Sequence, residues 1–212
     1  MMARPRVLNR AGNLAMGAVL AVGMISMADG LYIPAKAMLA QQLLQRAWQR
    51  GERSPAIDTD ELRPWPWADT FPVARLTSDA TDDEVFVLSG GSGRTLAFGP
   101  GHLQTSALPG HVGNSVIAGH RDTHFRFLAD VALGDNLVVD RRDGERVVYE
   151  IVALDVVDAR RAQIALDGAA PTLTLITCYP FDAITPGGPL RYVVSARAVS
   201  AEVPMQAAAT GF

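Results

Sequence analysis

Cysteine is almost absent: Cys178 is the only one in 212 residues. A lone thiol excludes an internal disulfide, so its position asks for another explanation. Basic excess is absent too. Nineteen Lys and Arg face 22 Asp and Glu, a net charge of −3, so no basic stripe is available to offset a phosphate backbone and nucleic acid is not an expected partner. No internal repeat is visible. Gly90 to Thr95 lacks both the spacing and the lysine of a phosphate-binding loop and reads as a hairpin turn. His120-Arg121-Asp122 matches the start of a kinase catalytic loop, but position 127 is Phe where that loop needs Asn.

Acidic residues are also missing from the first 28 positions, and that absence carries information. Arg4, Arg6 and Arg10 precede an apolar stretch from Leu14 to Ile33 that has no acidic residue before Asp29. Twenty helical residues span roughly 30 Å, the hydrocarbon thickness of a bilayer. The arginines place the N-terminus in the cytoplasm and the rest of the chain outside it. A retained anchor and a cleaved signal peptide both fit, because Ser26-Met27-Ala28 is an acceptable cleavage site that would leave Asp29 first. Either way the domain is exported. In an oxidising compartment cysteines are rewarded for pairing, so an unpaired one is either used or hidden.

The expected organisation is a cytoplasmic N-terminus at 1–10, a transmembrane segment at 11–33, a helical stalk and Pro/Trp-rich linker at 34–70, a catalytic domain at 71–200 and a tail at 201–212. Pro34 to Glu52 reads as an amphipathic helix, with Met38, Leu39, Leu43, Leu44, Ala47 and Trp48 at three- and four-residue spacings and Gly51 as its stop. Pro64-Trp65-Pro66-Trp67 excludes regular helix, and its tryptophans suit covering an edge of the domain. From Phe71 the pattern becomes β-like. Strands are expected at 73–76, 84–88, 95–98, 114–118, 136–140, 145–155, 172–177 and 190–199, with helix at 123–131 and at part of 159–166. Eight short strands separated by Gly and Asp turns suggest a mainly β fold, a closed or nearly closed barrel.

Cys178 ends the alternating run Thr172-Leu173-Thr174-Leu175-Ile176-Thr177. A residue just past a strand end is held by the sheet yet exposed at the rim, which suits a nucleophile. Arg191 opens the next apolar run, 13 residues later by the numbering, and an antiparallel return would bring it beside Cys178. Its fixed charge would lower a thiol pKa and its forked donors suit an oxyanion. His120 follows Ser115-Val116-Ile117-Ala118-Gly119, again at a strand end, and can serve as base or acid. Taken singly, each has a structural reading: an inert buried thiol, a surface arginine, a histidine packed at a strand end.

Thr174-Leu175-Ile176-Thr177-Cys178 resembles the Thr-Leu-x-Thr-Cys signature of sortases, the cysteine transpeptidases of bacterial envelopes. Ala107-Leu108-Pro109-Gly110, Gly113-Asn114 and Ala118-Gly119-His120-Arg121-Asp122-Thr123 resemble the segment around the sortase histidine, and Arg191 matches the family's arginine. The likeness covers 71 to 199. The Trp-Pro-Trp segment and Gly-Gly-Pro-Leu-Arg resemble the proteobacterial branch. The resemblance implies an eight-stranded sortase barrel and acyl transfer through a Cys178 thioester. The implied partners are a protein with a C-terminal sorting signal of Leu-Pro-x-Thr-Gly type and an amine acceptor. It also implies Arg191 as oxyanion donor, His120 as acid and base, no cofactor, and single-pass anchoring in the bacterial cytoplasmic membrane with the domain outside. Val156 to Pro171 would help read the signal.

Three rival signals stand in the sequence. His120 and His124, with His102, His111 and Cys178, could hold a metal, but no acidic base follows His120 as in helical zinc proteases. Asp122 suits an N-cap for a helix from Thr123 better than orientation of a site residue. Asp79, Asp82, Asp83 and Glu84 lie bunched on one short segment and read as a solvated turn. A cysteine hydrolase using water and a non-catalytic envelope-binding module remain as functional alternatives.

Overall fold

The protein is represented by a computed structural model describing residues 6–54, 56–185 and 187–199; within the first helix, side chains are described for 12–24 and from 36 onward. The expected tail at 201–212 lies outside the described residues, as do residues 1–5. Two compact units divide between Gln42 and Leu43.

The first unit consists of the N-terminal part of α1 (Arg6–Arg53), which is 48 residues long. Ala and Leu are its commonest residues, both strong helix formers. Leu14, Val19 and Leu20 are 75%, 72% and 60% exposed. Among the described residues no helix is long and apolar enough to cross a membrane, so the structure does not supply the expected transmembrane segment at 11–33. The side chains of 25–33, which belong to that stretch, lie outside the described residues.

The second unit begins inside α1. The C-terminal half of the expected amphipathic helix packs here, with Leu44, Ala47 and Trp48 buried and Trp48 against Phe86 at 6.2 Å between ring centroids, whereas Met38 and Leu39, expected on the same face, are 63% and 54% exposed. Gly51 is not the stop. The helix runs on to Arg53, and Gly51 instead allows close packing: a Cβ there would meet Arg142 Cδ at 3.1 Å and Leu62 Cδ2 at 3.2 Å. Arg50 and Arg53 sit in the last turn, where positive charge complements the helix dipole. Of the linker tryptophans, Trp65 packs edge-on against Phe98 at 4.9 Å, while Trp67 is 83% exposed.

Eight strands follow: β1 (Pro72–Ser78), β2 (Glu84–Ser89), β3 (Gly101–His102), β4 (Gly113–Ala118), β5 (Asn136–Arg141), β6 (Arg146–Asp158), β7 (Pro171–Cys178) and β8 (Leu190–Ala198). They close into a barrel in the order β1-β2-β3-β4-β7-β8-β6-β5. Period-two sequences build it: β1 alternates buried and half-buried positions along its whole length. Ala74, Leu76, Ile117, Leu137, Val139, Tyr149, Leu173, Leu175 and Val194 fill the interior.

Four local expectations fail. The strand at 95–98 is the end of a one-turn helix, α2 (Gly93–Leu96), because the Ser92 side chain accepts from Thr95 N at 3.2 Å and caps it. The supposed hairpin at Gly90–Thr95 is therefore part of a crossover, since β2 and β3 run parallel. The 123–131 helix shrinks to a 3-10 turn at Arg126–Ala129, with Phe125, Phe127 and Leu128 drawn into the core. Nor is 159–166 helical: its only turn is built by Asp158, which binds Arg160 N through its side chain and Arg161 N through its carbonyl.

Candidate active site

Strand pairing brings the three site residues to one end of the barrel. β4 and β7 are parallel neighbours, with Ala118 opposite Ile176, and Gly119 N donates to Ile176 O at 3.0 Å. His120 and Cys178 therefore leave adjacent strands at the same level. β8 returns antiparallel, and its Arg191 is the register partner of Cys178, the position an antiparallel return predicts.

Their environments suit exposed chemistry. Cys178 is half-buried and His120 is exposed, so neither is hidden in the core. Arg191 Nη1 donates to Gly188 O and Leu190 O, both at 2.8 Å. Those bonds fix the guanidinium at the rim, while Nε and Nη2 have no hydrogen-bond partner among the described residues. Free donors on a fixed fork are what a developing oxyanion requires.

The signature threonines have separate jobs. Thr177 Oγ1 donates to Gly119 O at 2.8 Å, tying the residue before Cys178 to the residue before His120. Thr174 Oγ1 donates to Asn114 Oδ1 at 3.0 Å, which orients the amide so that Asn114 Nδ2 donates to Ala165 O at 2.9 Å. Asn114 N also donates to Leu166 O. The β6–β7 segment is thus pinned to β4 through Asn114, and Ala159 N joins it to Pro189 O of the β7–β8 loop at 2.8 Å. Gly119 is needed for a steric reason: a Cβ would lie 2.7 Å from the buried Phe125 ring.

Arg121 and Asp122 correct the sequence reading. Asp122 does not cap a helix; it accepts from Arg121 Nε at 2.8 Å. That bond holds the Arg121 guanidinium above its ordinary pKa range and the Asp122 carboxyl below its own. Arg121 is only 4% exposed. His124 has its pKa lowered, first by burial and then by the charge of His120.

The other histidines stand elsewhere. His102 Nε2 bonds to Ala107 O at 2.8 Å and to Ser106 Oγ at 3.1 Å, and burial lowers its pKa. His102 and His111 line a cavity of about 510 Å³ beside the β5–β6 turn, at the end of the barrel away from Cys178. A second cavity, about 440 Å³, abuts the site and is lined by Arg121, Asp122, Phe181 and Asp182 among others. The larger cavity is not where the nucleophile sits, and the site follows from the strand ends. Among the described residues no group of three or more His, Cys, Asp or Glu could hold a metal.

The sequence-predicted Cys178, His120 and Arg191 are brought together at one end of the barrel; Asn114, Thr174 and Arg121 have no role legible in the sequence, because the partners that give them one are distant in the chain.

A family model described as "Sortase domain" matches residues 76–199. Sortase D of Bacillus subtilis is 35% identical over 118 residues, 55% of this chain and 59% of that protein; the match thus spans less than two thirds of that relative's length. The solved sortase A of Corynebacterium diphtheriae is similar with TM-score 0.58 and 27% identity, covering 78% of this chain and 86% of that one. A Clostridium perfringens sortase D5 transpeptidase, 19% identical, shares the fold with TM-score 0.59, covering 76% of this chain and 99% of that one.

Proposed function

Since this chain belongs to the sortase family, we propose that it is a cysteine transpeptidase that cleaves a C-terminal sorting signal and passes the acyl protein to an amine. The observation that carries this reading is the shared level of His120, Cys178 and Arg191 at the ends of β4, β7 and β8. The Cys178 thiolate attacks the scissile carbonyl of a Leu-Pro-x-Thr-Gly-like signal, and Arg191 donates to the oxyanion through its free nitrogens. Collapse of the tetrahedral intermediate breaks the C–N bond. His120 protonates the departing amine and leaves a Cys178 thioester. An incoming amine gives its proton to His120, attacks the thioester carbonyl and releases the thiolate, so protons and charge balance over the cycle.

The branch assignment to proteobacterial sortases rests on the Trp-Pro-Trp and Gly-Gly-Pro-Leu-Arg segments. Anchoring in the cytoplasmic membrane with the domain outside rests on the arginines and the apolar stretch of the N-terminal sequence. Fractionation of the producing cell tests the anchor: recovery of the mature protein in the soluble fraction, starting at Asp29, would refute it.

The enzymatic test is intact mass spectrometry of the protein with a sorting-signal peptide, with and without an added amine. A covalent acyl adduct on Cys178 that an amine resolves into a ligated product is expected. Release to water alone, unaffected by amine, would establish the hydrolase alternative. An inert thiol would favour the binding module, against which the partial exposure of Cys178 already speaks.

A further inference from the structure

One buried charge at the active end is not used by the chemistry above. Arg121, 4% exposed, follows His120 directly and reaches across to the loop that follows Cys178. Its Nη1 donates to Pro180 O at 2.5 Å and its Nη2 to Ala183 O at 2.9 Å. Asp122 accepts from Nε at 2.8 Å and from Nη2 at 3.4 Å. Three residues served at once use the forked donors of a guanidinium. On its other side the same loop is gripped by aromatic contacts: Phe181 lies edge-on to Tyr192 at 5.2 Å, and Tyr179 stacks on Tyr192 at 6.2 Å. The aromatic contacts fasten the loop to β8, whereas among the described residues Arg121 supplies the side-chain hydrogen bonds from it to the turn that carries His120.

We infer that Arg121 is a positioning residue: by binding the carbonyls of Pro180 and Ala183 it fixes the Cys178 loop against the His120 turn and so sets the spacing of thiol and imidazole. His120 is exposed; its carbonyl accepts from Phe125 N at 3.0 Å, but its ring has no hydrogen-bond partner among the described residues, so the ring's place is set by the backbone around it. The bond from Thr177 to Gly119 fixes the strand ends before the two residues, and Arg121 fixes the chain after them. An error of about 1 Å in such a pair costs on the order of a hundredfold in rate.

This inference rests on the transpeptidase reading for its kinetic test, and a second measurement is independent of it. With a sorting-signal peptide, Arg121→Ala should lower kcat by about a hundredfold while KM changes little, because substrate is not what Arg121 touches. Arg121→Lys should recover only a small part, since an ammonium lacks the fork that reaches Asp122, Pro180 and Ala183 together. Asp122→Ala should cost much less than Arg121→Ala. Independently, iodoacetamide alkylation of Cys178 followed against pH should change profile in Arg121→Ala, and amide exchange of residues 179–185 should accelerate. Full kcat with an unchanged alkylation profile in either Arg121 variant would overturn the inference. If Arg121→Ala does not fold, Arg121→Lys decides in the same way. If the wild type forms no peptide adduct, the transpeptidase reading fails, and the alkylation profile and amide exchange still judge Arg121.

Discussion

The barrel holds two histidines in contrasting states. His102, on β3, is 3% exposed, with Nε2 engaged by Ala107 O and Ser106 Oγ. Ser106 in turn donates to Leu103 O and accepts from Val116 N. His120, one residue past Gly119 at the end of β4, is exposed, and its ring has no hydrogen-bond partner among the described residues. In the sequence His120 stands at a strand end as a candidate acid and base, whereas His102 is only a possible supplementary metal ligand. The structure separates them by what is left unspent. Burial with satisfied partners makes His102 a strut, whereas an exposed ring on a rigid strand end keeps both nitrogens for a reaction.

The sharpest way to break this contrast is to exchange the consequences of removal. Cys178→Ala or His120→Ala should abolish amine-resolved product while leaving the melting temperature near that of the wild type. A comparable activity loss from His102→Gln, with the fold intact by circular dichroism, would erase the distinction. Arg191→Ala should come next, lowering kcat/KM by about 10²–10³ as expected for a lost oxyanion donor. Arg191→Lys should restore little, because the fork is what matters.

A steric effect follows in size. Gly119→Ala forces a methyl against the Phe125 ring, an overpacking that costs roughly 1–3 kcal/mol. It should appear both as a lower midpoint in urea and as lost activity, because the backbone that must shift carries His120. Asn114→Ala removes the side-chain bonds to Ala165 O and Thr174 Oγ1, a loss of about 1–2 kcal/mol. Amide exchange should rise in the 159–170 segment before it rises in β4. Uniform acceleration throughout the barrel would show that the pin is global rather than local.

The smallest effect is a pH dependence. Burial lowers the pKa of His102 and, together with the charge of His120, that of His124. The unfolded chain then binds more protons than the folded one below the ordinary histidine value of 6.5. Stability is therefore full above that pH and declines as pH falls below it. The Asp140 carboxyl, depressed first by Arg146 and also by Arg75, contributes only lower down, beneath the ordinary value of 3.8. Urea midpoints between pH 8 and pH 5 should decrease with acid, and His102→Gln, which can still donate to Ala107 O, should flatten the slope. A midpoint that rises on acidification would contradict the sign.

Much of the barrel was legible because period-two alternation is a local property. β4, β5, β7 and β8 lie within two residues of their expected bounds. Failures came where one side chain outcompeted propensity: the hydroxyl of Ser92 turned 93–96 into a helix, and Asp158 with Asn114 spent the backbone groups that a 159–166 helix would need. Asp122 was misread because its neighbour Arg121, not a helix N-terminus, was its partner. The thiol, the imidazole and the guanidinium stand out in the sequence because each lies at the edge of an apolar run, and the strand pairing brings them to one end of the barrel. Arg121 was passed over because its acceptors lie about 60 positions away, 59 and 62 in sequence.

By itself the sequence determined a β-rich chain with a lone thiol, the order of histidine, cysteine and arginine, and the family those motifs resemble. These follow from residue identity and short spacing. Only the tertiary structure decided that β4 and β7 run side by side in parallel, that Cys178 and Arg191 are register partners, and that Arg121 ties the two halves of the site together. The physical reason is range: hydrogen bonds between distant segments form only when barrel closure brings them within reach, and no local pattern encodes which carbonyl a buried arginine will find.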